Sequence, residues 1–263
     1  MFQSVSWEAI TLLVTSGIVV GFINTLAGGA AIISLTTFMV LGLPLHLANG
    51  TNRIPTFFEN LTASANFLRN RRLNVRVGLK LAIPAIVGNI LGSQVAVTVD
   101  EQVIKICLGA ILVAILVFMA FSTEKRIKRN AGQGLRIRYI DYFWFLLIGF
   151  YGGYIYVGIG YMILAVTLMS MRMDLMTANA IKGFVLMVSL PFSMVVFMMN
   201  GEVNYTFGFI HAAGNVLGAF LASQYAVGWR INYLRLFLAT VIIFCLAEIT
   251  GLISLHDIIT SII

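Results

Sequence analysis

Long apolar stretches separated by short polar junctions dominate this chain. Four of the clearest stretches are Trp7 to Leu26, Val103 to Phe121, Phe184 to Met199 and Leu236 to Leu252. Each is close to the roughly 20 residues that an α-helix needs to cross the hydrocarbon core of a bilayer. The pattern therefore predicts an all-α, polytopic membrane protein.

The hydropathy pattern predicts about 8 to 10 helical segments, with short ones included. The first half contains spans near residues 7–26, 30–43, 49–68, 77–98 and 102–122. The second half contains spans near 140–157, 161–171, 175–199, 206–227 and 233–252, followed by a short tail helix. The second span of each half is too short for an ordinary crossing and follows Gly28-Gly29 or Gly158-Ile159-Gly160. We expect these two spans to be broken or re-entrant helices.

Composition agrees with a membrane location. The chain is 60% hydrophobic and only 10% charged, with a mean hydropathy of +0.96, which leaves too little polar surface to cover a soluble globule. The N-terminus has no basic n-region, and no small-residue cleavage site follows its apolar run, so we expect the first helix to remain in the mature protein. We expect one transmembrane transporter domain over 1–263, with repeat 1 over 1–122, a cytoplasmic linker over 123–138 and repeat 2 over 139–263.

Basic residues gather at three junctions between the predicted spans. They are Arg69, Arg71, Arg72, Arg76 and Lys80 at the first, Lys125, Arg126, Lys128, Arg129, Arg136 and Arg138 in the linker, and Arg230 and Arg235 at the third. The positive-inside rule places these junctions in the cytoplasm, whereas the junctions at 99–102 and 200–204 contain acids and neither Lys nor Arg. The net charge of +7 thus indicates orientation and contact with anionic lipid head groups. Nucleic acid is not an expected partner, because no aromatic residues are interleaved with these charges.

The two halves share an internal repeat. Asn49, Asn70 and Asn74 match Asn179, Asn200 and Asn204 at a shift of 130 (179 − 49). The run Gly88-Asn89-Ile90-Leu91-Gly92 matches Gly214-Asn215-Val216-Leu217-Gly218 at a shift of 126 (214 − 88), so the alignment is ambiguous by about one helical turn. The basic junction at 69–76 corresponds to the acidic junction at 200–204, which predicts halves of inverted topology. Inverted repeats are typical of secondary transporters, whose substrate site lies at the repeat interface.

Arg53 and Lys182 lie inside apolar stretches, one in each half. A charge at the centre of a bilayer costs at least about 2.5 to 3.5 kcal/mol, so such residues indicate function. Amide or hydroxyl donors are available at Asn24, Thr25, Thr51, Asn52 and Asn179, and close backbone approach at Gly28, Gly29, Gly158 and Gly160. Together these residues predict a substrate-binding site for a small oxyanion between the halves.

Alternatives to this interpretation remain open. Arg53 is a candidate for a structural ion pair with Glu59 or for snorkelling to an interface, and Glu248 is a candidate proton relay. At Gly88, Gly92, Gly214 and Gly218 we favour close helix packing over ligand contact. The chain contains no HExxH or GxSxG motif, and its cysteines and histidines form no recognisable ligand set, so we expect no catalytic residues, metal or cofactor.

The order and spacing of several motifs resemble the sulfite exporter TauE/SafE family of bacterial membrane proteins over nearly the whole chain. The first half contributes Gly21-Phe22-Ile23-Asn24-Thr25-Leu26-Ala27-Gly28-Gly29, Leu41-Gly42-Leu43-Pro44, Ala48-Asn49-Gly50-Thr51-Asn52-Arg53 and Arg69-Asn70-Arg71-Arg72. The second half contributes Ala178 to Lys182 and Gly214 to Ala219. The resemblance implies a multi-pass carrier in the bacterial cytoplasmic (inner) membrane for small sulfur-containing anions, typically sulfite, thiosulfate or organosulfonates such as sulfoacetate.

This chain departs from the family pattern at three places. Its glycine run is shortened to Gly28-Gly29-Ala30-Ala31, Thr36 stands where a proline is expected, and Tyr156-Val157-Gly158-Ile159-Gly160-Tyr161 replaces a stretch that often contains Gly-Pro. The particular anion is therefore left open. Expected partners are the oxyanion, membrane lipids and a coupling proton or sodium ion, with a homodimer as a further candidate. A passive anion channel and a non-transporting receptor or assembly subunit remain as alternative functions.

Overall fold

The computed structural model describes residues 5–26, 28–121 and 136–225, and all regular secondary structure in these ranges is helical. The first half forms α1 (Trp7–Leu26), α2 (Ala31–Val40), α3 (Leu45–Thr51), α4 (Arg53–Arg69), α5 (Val75–Thr98) and α6 (Glu101–Phe121). The second half forms α7 (Tyr139–Tyr154), α8 (Ile159–Ala165), a π-helical turn (Val166–Ser170), α9 (Leu175–Met199) and α10 (Tyr205–Tyr225). The prediction of an all-α fold is confirmed.

Helices α1, α5, α9 and α10 are each long and apolar enough to cross a membrane. This finding, made on the described ranges, agrees with the prediction of a polytopic membrane protein. Most of the linker, the spans predicted at 233–252 and beyond, and Glu248 lie outside the described residues. The division into a single domain with two repeats stays a prediction.

Three predicted spans differ in detail from the observed helices, because apolar periodicity does not show where the backbone turns. The span predicted at 49–68 is two helices, α3 and α4, which meet at Asn52. The span predicted at 140–157 ends at Tyr154, since Ile155 is extended with φ −138° and ψ 120°. The span predicted at 161–171 begins at Ile159, directly after Gly158, and finishes in the π-helical turn.

The breaks before the two short helices occur at glycines with left-handed backbone. Gly28 and Gly29 have φ of +78° and +97°, and Gly158 has φ of +78°. L-amino acids with side chains rarely adopt these angles, whereas glycine does so at little cost. The breaks after α1 and α7 are therefore encoded by glycine in both halves. Whether α2 and α8 cross the membrane or re-enter it stays a prediction.

Glycines bring two pairs of long helices into backbone contact. A Cβ atom at Gly17 or Gly21 of α1 would overlap the backbone of α10, and one at Gly214 or Gly218 of α10 would overlap that of α1. The same relation joins α5 to α7 through Gly88, Gly92, Gly149 and Gly153. Small residues permit such close approach between membrane helices. The packing role favoured for Gly88, Gly92, Gly214 and Gly218 is confirmed.

Helix packing repeats between the halves. Helix α1 of the first half packs against α10, and α7 of the second half packs against α5 in the same way. Likewise α4 packs against α10, and α9 packs against α5. Helices α4 and α9 pack against each other at the centre. Gly21 faces the backbone of Asn215, and Gly153 faces the backbone of Asn89 in the same way. The shift of 126 (215 − 89) is therefore the structural match for α5 and α10. The inverted orientation of the halves in the membrane stays a prediction.

The largest apolar core lies where α9 meets α4, α5 and α7. Its fully buried members include Leu81, Phe145, Ile181, Val185 and Leu190. A second core joins α1, α2, α3 and α6. Buried polar side chains on α1, α4, α9 and α10 interrupt this apolar interior, and they define the candidate site.

Candidate functional site

Lys182, in the second turn of α9, binds the C-terminal end of α1. Its Nζ donates to the backbone oxygens of Asn24 at 2.8 Å and Thr25 at 3.0 Å. The amide of Gly29, which would continue the helix, donates instead to Asn24 Oδ1 at 2.9 Å. The last carbonyls of a helix lack intrahelical partners and have a partial negative charge, so a cation is stabilised there. Lys182, which is 3% exposed, is held by the opposite half of the chain.

Arg53, the first residue of α4, makes the corresponding contact with the end of α7. Its guanidinium donates to the backbone oxygen of Gly152, to that of Gly153 at 2.9 Å and to Asn49 Oδ1 at 3.2 Å. Gly152 and Gly153 lie in the last turn of α7, which belongs to the second half. Arg53 of the first half thus binds a helix of the second half, and Lys182 of the second half binds a helix of the first half.

The surroundings of Arg53 exclude the two alternative interpretations of this residue. Arg53 is fully buried, so it does not snorkel. Its guanidinium carbon lies 5.6 Å from the ring centroid of Tyr156 and 4.9 Å from that of Phe197. Aromatic faces at this distance attract a cation. The proposed ion pair with Glu59 is also wrong, because the Glu59 carboxylate is held elsewhere.

Glu59 is a buried acid on α4 that the predicted site did not include. Its Oε1 accepts from Asn24 Nδ2 at 2.8 Å, and its Oε2 accepts from Asn215 Nδ2 at 3.3 Å. The charges of Glu59 and Lys182 attract one another. The sequence did contain a signal for Glu59, because it is an acid inside an apolar stretch. Ionisable residues within a membrane cost free energy and are commonly functional. Its amide partners, 35 and 156 residues away, were not evident from the sequence.

The glycine breaks of the two halves meet beside Lys182. A Cβ atom at Gly28 would lie 2.8 Å from the Cα of Gly160, and one at Gly160 would lie 3.4 Å from Lys182 Cδ. The ring of Tyr161 packs against Gly29. Glycine at these positions therefore allows the two broken helices to touch.

Seven of the predicted site residues are brought together around the end of α1. Asn179 Nδ2 donates to the backbone oxygen of Leu26 at 3.1 Å and so joins Lys182 there. The seven are Asn24, Thr25, Gly28, Gly29, Gly160, Asn179 and Lys182.

Three other predicted site residues have local roles. Thr51 Oγ1 accepts from the backbone N–H of Asn204 at 2.8 Å, which joins α3 to the loop between α9 and α10. The backbone oxygen of Asn52 accepts from the Thr56 hydroxyl within the same helical region. Gly158 supplies the left-handed turn before α8. These contacts do not place Thr51 or Asn52 beside Lys182.

Several buried polar atoms near the helix breaks have no hydrogen-bond partner among the described residues. They are Thr25 Oγ1, Asn179 Oδ1, Arg53 Nε, Asn215 Oδ1 and both side-chain amide atoms of Asn89. Buried polar groups in native proteins are normally paired with protein or water. The unpaired groups flank the ends of α1 and α7 and include both donors and acceptors.

A cavity of about 290 Å³ lies at the end of the molecule where the acidic junctions meet. His46 lies in its wall, with Nδ1 3.4 Å from Glu101 and Nε2 3.3 Å from Glu202. Phe197 also lines the cavity, and its ring covers the guanidinium of Arg53. The aromatic ring therefore separates the cavity from the buried cation.

The wall of this cavity is acidic. A hydrogen bond from Lys105 holds the pKa of Glu101 below its usual value, so this carboxylate is ionised at neutral pH. Asp100 and Glu202 add further acids to the lining. These are the junctions that the charge distribution assigns to the non-cytoplasmic side.

Comparison with known proteins identifies the family. The model of the family described as "Sulfite exporter TauE/SafE" matches residues 13–249. A "Probable membrane transporter protein" of Haemophilus influenzae is 28% identical over 225 residues, covering 82% of this chain and 85% of that protein. "Probable membrane transporter protein ORF9" of a Sinorhizobium species is 28% identical over 232 residues, covering 86% of each chain. "Probable membrane transporter protein YfcA" of Escherichia coli K12 is 23% identical over 210 residues, covering 78% and 76%.

No solved structure matches the chain. The family model nevertheless extends from α1 into the region beyond α10, and two of the relatives are covered over more than four fifths of their length. The chain therefore belongs to the sulfite exporter TauE/SafE family of membrane transporter proteins.

Proposed function

We propose that this protein is a secondary transporter that moves a small sulfur-containing anion, such as sulfite, thiosulfate or an organosulfonate, across the bacterial cytoplasmic membrane. The observation that supports the proposal most directly is the pair of buried cations, Arg53 and Lys182, one from each half. With Glu59 ionised, the three charges sum to +1. An unbalanced positive charge in the interior of a membrane protein favours a bound anion.

The free hydrogen-bond donors suit an oxyanion. Among the described residues, two of the three N–H groups of Lys182 donate to backbone oxygens, which leaves one, and Arg53 Nε–H and the Thr25 hydroxyl have no partner. A sulfite or sulfonate group presents several oxygens to such donors. Hydrogen bonds between a cation and an anionic oxygen are about twice as strong as neutral ones. This donor set supports a sulfur oxyanion without choosing among its members.

The crossed contacts suit alternating access. In transporters with inverted repeats, the substrate site lies at the repeat interface among discontinuous helices, and the two repeats rock against one another. Here the helix breaks of both halves touch at Gly28 and Gly160, next to Lys182. A change in the relative position of the halves would alter the donors on both sides of the bound anion. We propose the inverted orientation of the repeats on the same grounds.

Anion flux into proteoliposomes tests the proposed function. The intact chain is reconstituted and challenged with sulfite, thiosulfate, sulfoacetate and sulfate. We expect saturable uptake of at least one sulfur anion and acceleration of that uptake by the same anion loaded inside. Flux that rises linearly with concentration and shows no counterflow would favour a channel. Specific binding with no flux would favour a receptor or assembly subunit.

Replacing Phe197 with Ala is expected to weaken the barrier between the acidic cavity and Arg53. The ring lines the cavity and covers the guanidinium, so its loss leaves an opening in that wall. We expect a non-saturable anion leak on top of carrier-type flux, measured as concentration-dependent uptake into proteoliposomes. Phe192→Ala is the matched control, because Phe192 lies on the same helix and is 43% exposed. An unchanged flux in Phe197→Ala would show that the barrier lies elsewhere.

A further inference from the structure

Glu59 occupies a position at which four helices of both halves meet. It projects from α4, accepts from Asn24 of α1 and Asn215 of α10, and is attracted by Lys182 of α9. Glu59 is 1% exposed. An acid buried this deeply needs a favourable environment for whichever protonation state it adopts. The contacts of Glu59 supply one for each state.

The contacts in the structure stabilise the ionised state of Glu59. Each carboxylate oxygen accepts a hydrogen bond from an asparagine amide, at 2.8 Å and 3.3 Å. The Asn24 amide is fixed in this orientation, because its Oδ1 accepts from the N–H of Gly29. Lys182 adds a compensating positive charge. The negative carboxylate is therefore stabilised by two amides and one cation.

Rotation of one amide would give the protonated state of Glu59 a hydrogen-bond acceptor. Asn215 Oδ1 is buried and has no partner among the described residues, and the contact of Asn215 Nδ2 with Glu59 is the longer of the two. A half-turn of the Asn215 amide would present Oδ1 to the carboxyl group. A protonated Glu59 could then donate its O–H to that oxygen, because a carboxylic acid has one donor. Asn215 can thus follow a change in the protonation of Glu59.

Among the described residues, three further charged or titratable groups lie around Glu59 or on the helices that contact it. Tyr156 faces it from the segment between α7 and α8, and its hydroxyl accepts from Asn60 Nδ2 at 3.3 Å. Arg53 lies on the same helix, bonded to the end of α7. His211 of α10 is engaged with the Leu13 backbone oxygen at 2.7 Å and with Ser34 Oγ at 2.8 Å. Lys182 is therefore the cation whose charge Glu59 offsets most directly.

We infer that Glu59 binds the proton whose movement is coupled to the anion, so that one proton and one anion are carried in the same direction. This inference rests on the proposed transport function. Protonation of Glu59 removes the charge that offsets Lys182 and raises the summed charge of Arg53, Lys182 and Glu59 from +1 to +2. The anion then binds more tightly, and by linkage a bound anion favours protonation to the same extent. A monoanion and a proton together transfer no net charge.

The same geometry disfavours sodium as the coupling ion. Transporters with broken helices commonly coordinate Na⁺ with the carbonyls at half-helix C-terminal ends. In this protein the carbonyls in the last turns of α1 and α7 already accept from Lys182 and from Arg53. Side-chain cations thus occupy the carbonyl positions that a bound Na⁺ would need. This favours a proton, bound by a side chain, as the ion coupled to anion transport.

A pH gradient across proteoliposomes tests the inference. With wild-type protein and an acidic exterior, we expect anion accumulation of about tenfold per pH unit, since one unit is a tenfold ratio of proton activity. Thiosulfate and sulfoacetate are dianions near neutral pH, so one proton and one such anion together carry one negative charge. Accumulation is therefore measured with the membrane potential held at zero, and it should be the same with Na⁺ replaced by choline. Glu59→Gln, which imitates the protonated acid, should accumulate no anion above equilibrium. Glu8→Gln is the matched control, because Glu8 lies at the exposed first turn of α1.

The outcomes separate this inference from the proposed function. Absence of flux for every anion would overturn the proposed function. Saturable flux whose accumulation does not depend on the pH gradient would overturn only the role of Glu59. A requirement for Na⁺ would overturn it as well. Should Glu59→Gln fail to fold, wild-type protein in detergent gives a second measurement. A pH indicator should report uptake of one proton per anion bound at alkaline pH, and no uptake would contradict the inference.

Discussion

Replacing Lys182 with Gln is expected to reduce saturable anion flux by about 10- to 150-fold. A hydrogen bond to a charged group contributes roughly 1.5 to 3 kcal/mol, and every 1.4 kcal/mol is a factor of ten. Gln retains donors for the backbone oxygens of Asn24 and Thr25 but removes the positive charge from the site. Arg53→Gln is expected to have an effect in the same range at the end of α7. Initial rates of uptake into proteoliposomes, over a range of anion concentrations, are the measurement.

Lys80→Gln is the control for this pair of variants. Lys80 is an exposed cation at a predicted cytoplasmic junction, so its loss changes the net charge equally without altering the buried site. We expect its flux to match that of the wild type. Each variant is first checked for a single symmetrical peak in gel filtration. Saturable flux that persists in well-folded Lys182→Gln and Arg53→Gln would rule out both cations as essential anion ligands.

Replacing Gly92 with Ala is expected to destabilise the protein by about 1 to 3 kcal/mol, the usual cost of forcing extra atoms into a packed interior. The new methyl group would overlap the backbone oxygen of Phe150 on α7, and backbone cannot rotate away as a side chain can. The helices α5 and α7 must then separate along their contact. The measurement is the midpoint of thermal unfolding in detergent, followed by intrinsic fluorescence.

Gly183→Ala is the matched control for this effect. Its new Cβ would be 3.4 Å from Ser64 Oγ, an ordinary van der Waals contact, so no helix has to move. Ala also favours a helix over Gly by about 0.8 to 1 kcal/mol, and the midpoint should stay or rise. Gly218→Ala should behave like Gly92→Ala, because both glycines pack against the facing helix in the same way. Equal stability of all three variants would contradict the close-packing argument.

The helices themselves were largely evident in the sequence. A stretch of 20 apolar residues such as α1 has few alternatives in a membrane protein, and paired glycines indicate where the backbone can reverse. Lys182 was identified for the same reason, since a cation in an apolar stretch is costly enough to need an explanation. These features depend on local composition, which a single sequence displays directly.

The contacts that define the site were not evident, because they depend on distant pairs. No pattern near Glu59 shows that its partners are Asn24 and Asn215, and no pattern near Arg53 shows that it binds the end of α7. The register of the repeat was likewise undecided between shifts of 126 and 130 until Asn89 and Asn215 were seen to face equivalent glycines. Helical periodicity tolerates a shift of one turn, whereas backbone contact does not.

The crossed bonds of the two cations bear on how the chain is made. Lys182 and Thr25 are 157 residues apart, so the end of α1 acquires its cation only after synthesis has passed the linker and reached α9. An unsatisfied carbonyl costs several kcal/mol in a bilayer, and a nascent chain that ends in the linker would keep this defect. The end of α1 should therefore reach its final contacts only after α9 has been inserted. Truncated products are expected to be targets for membrane proteolysis rather than stable half-transporters.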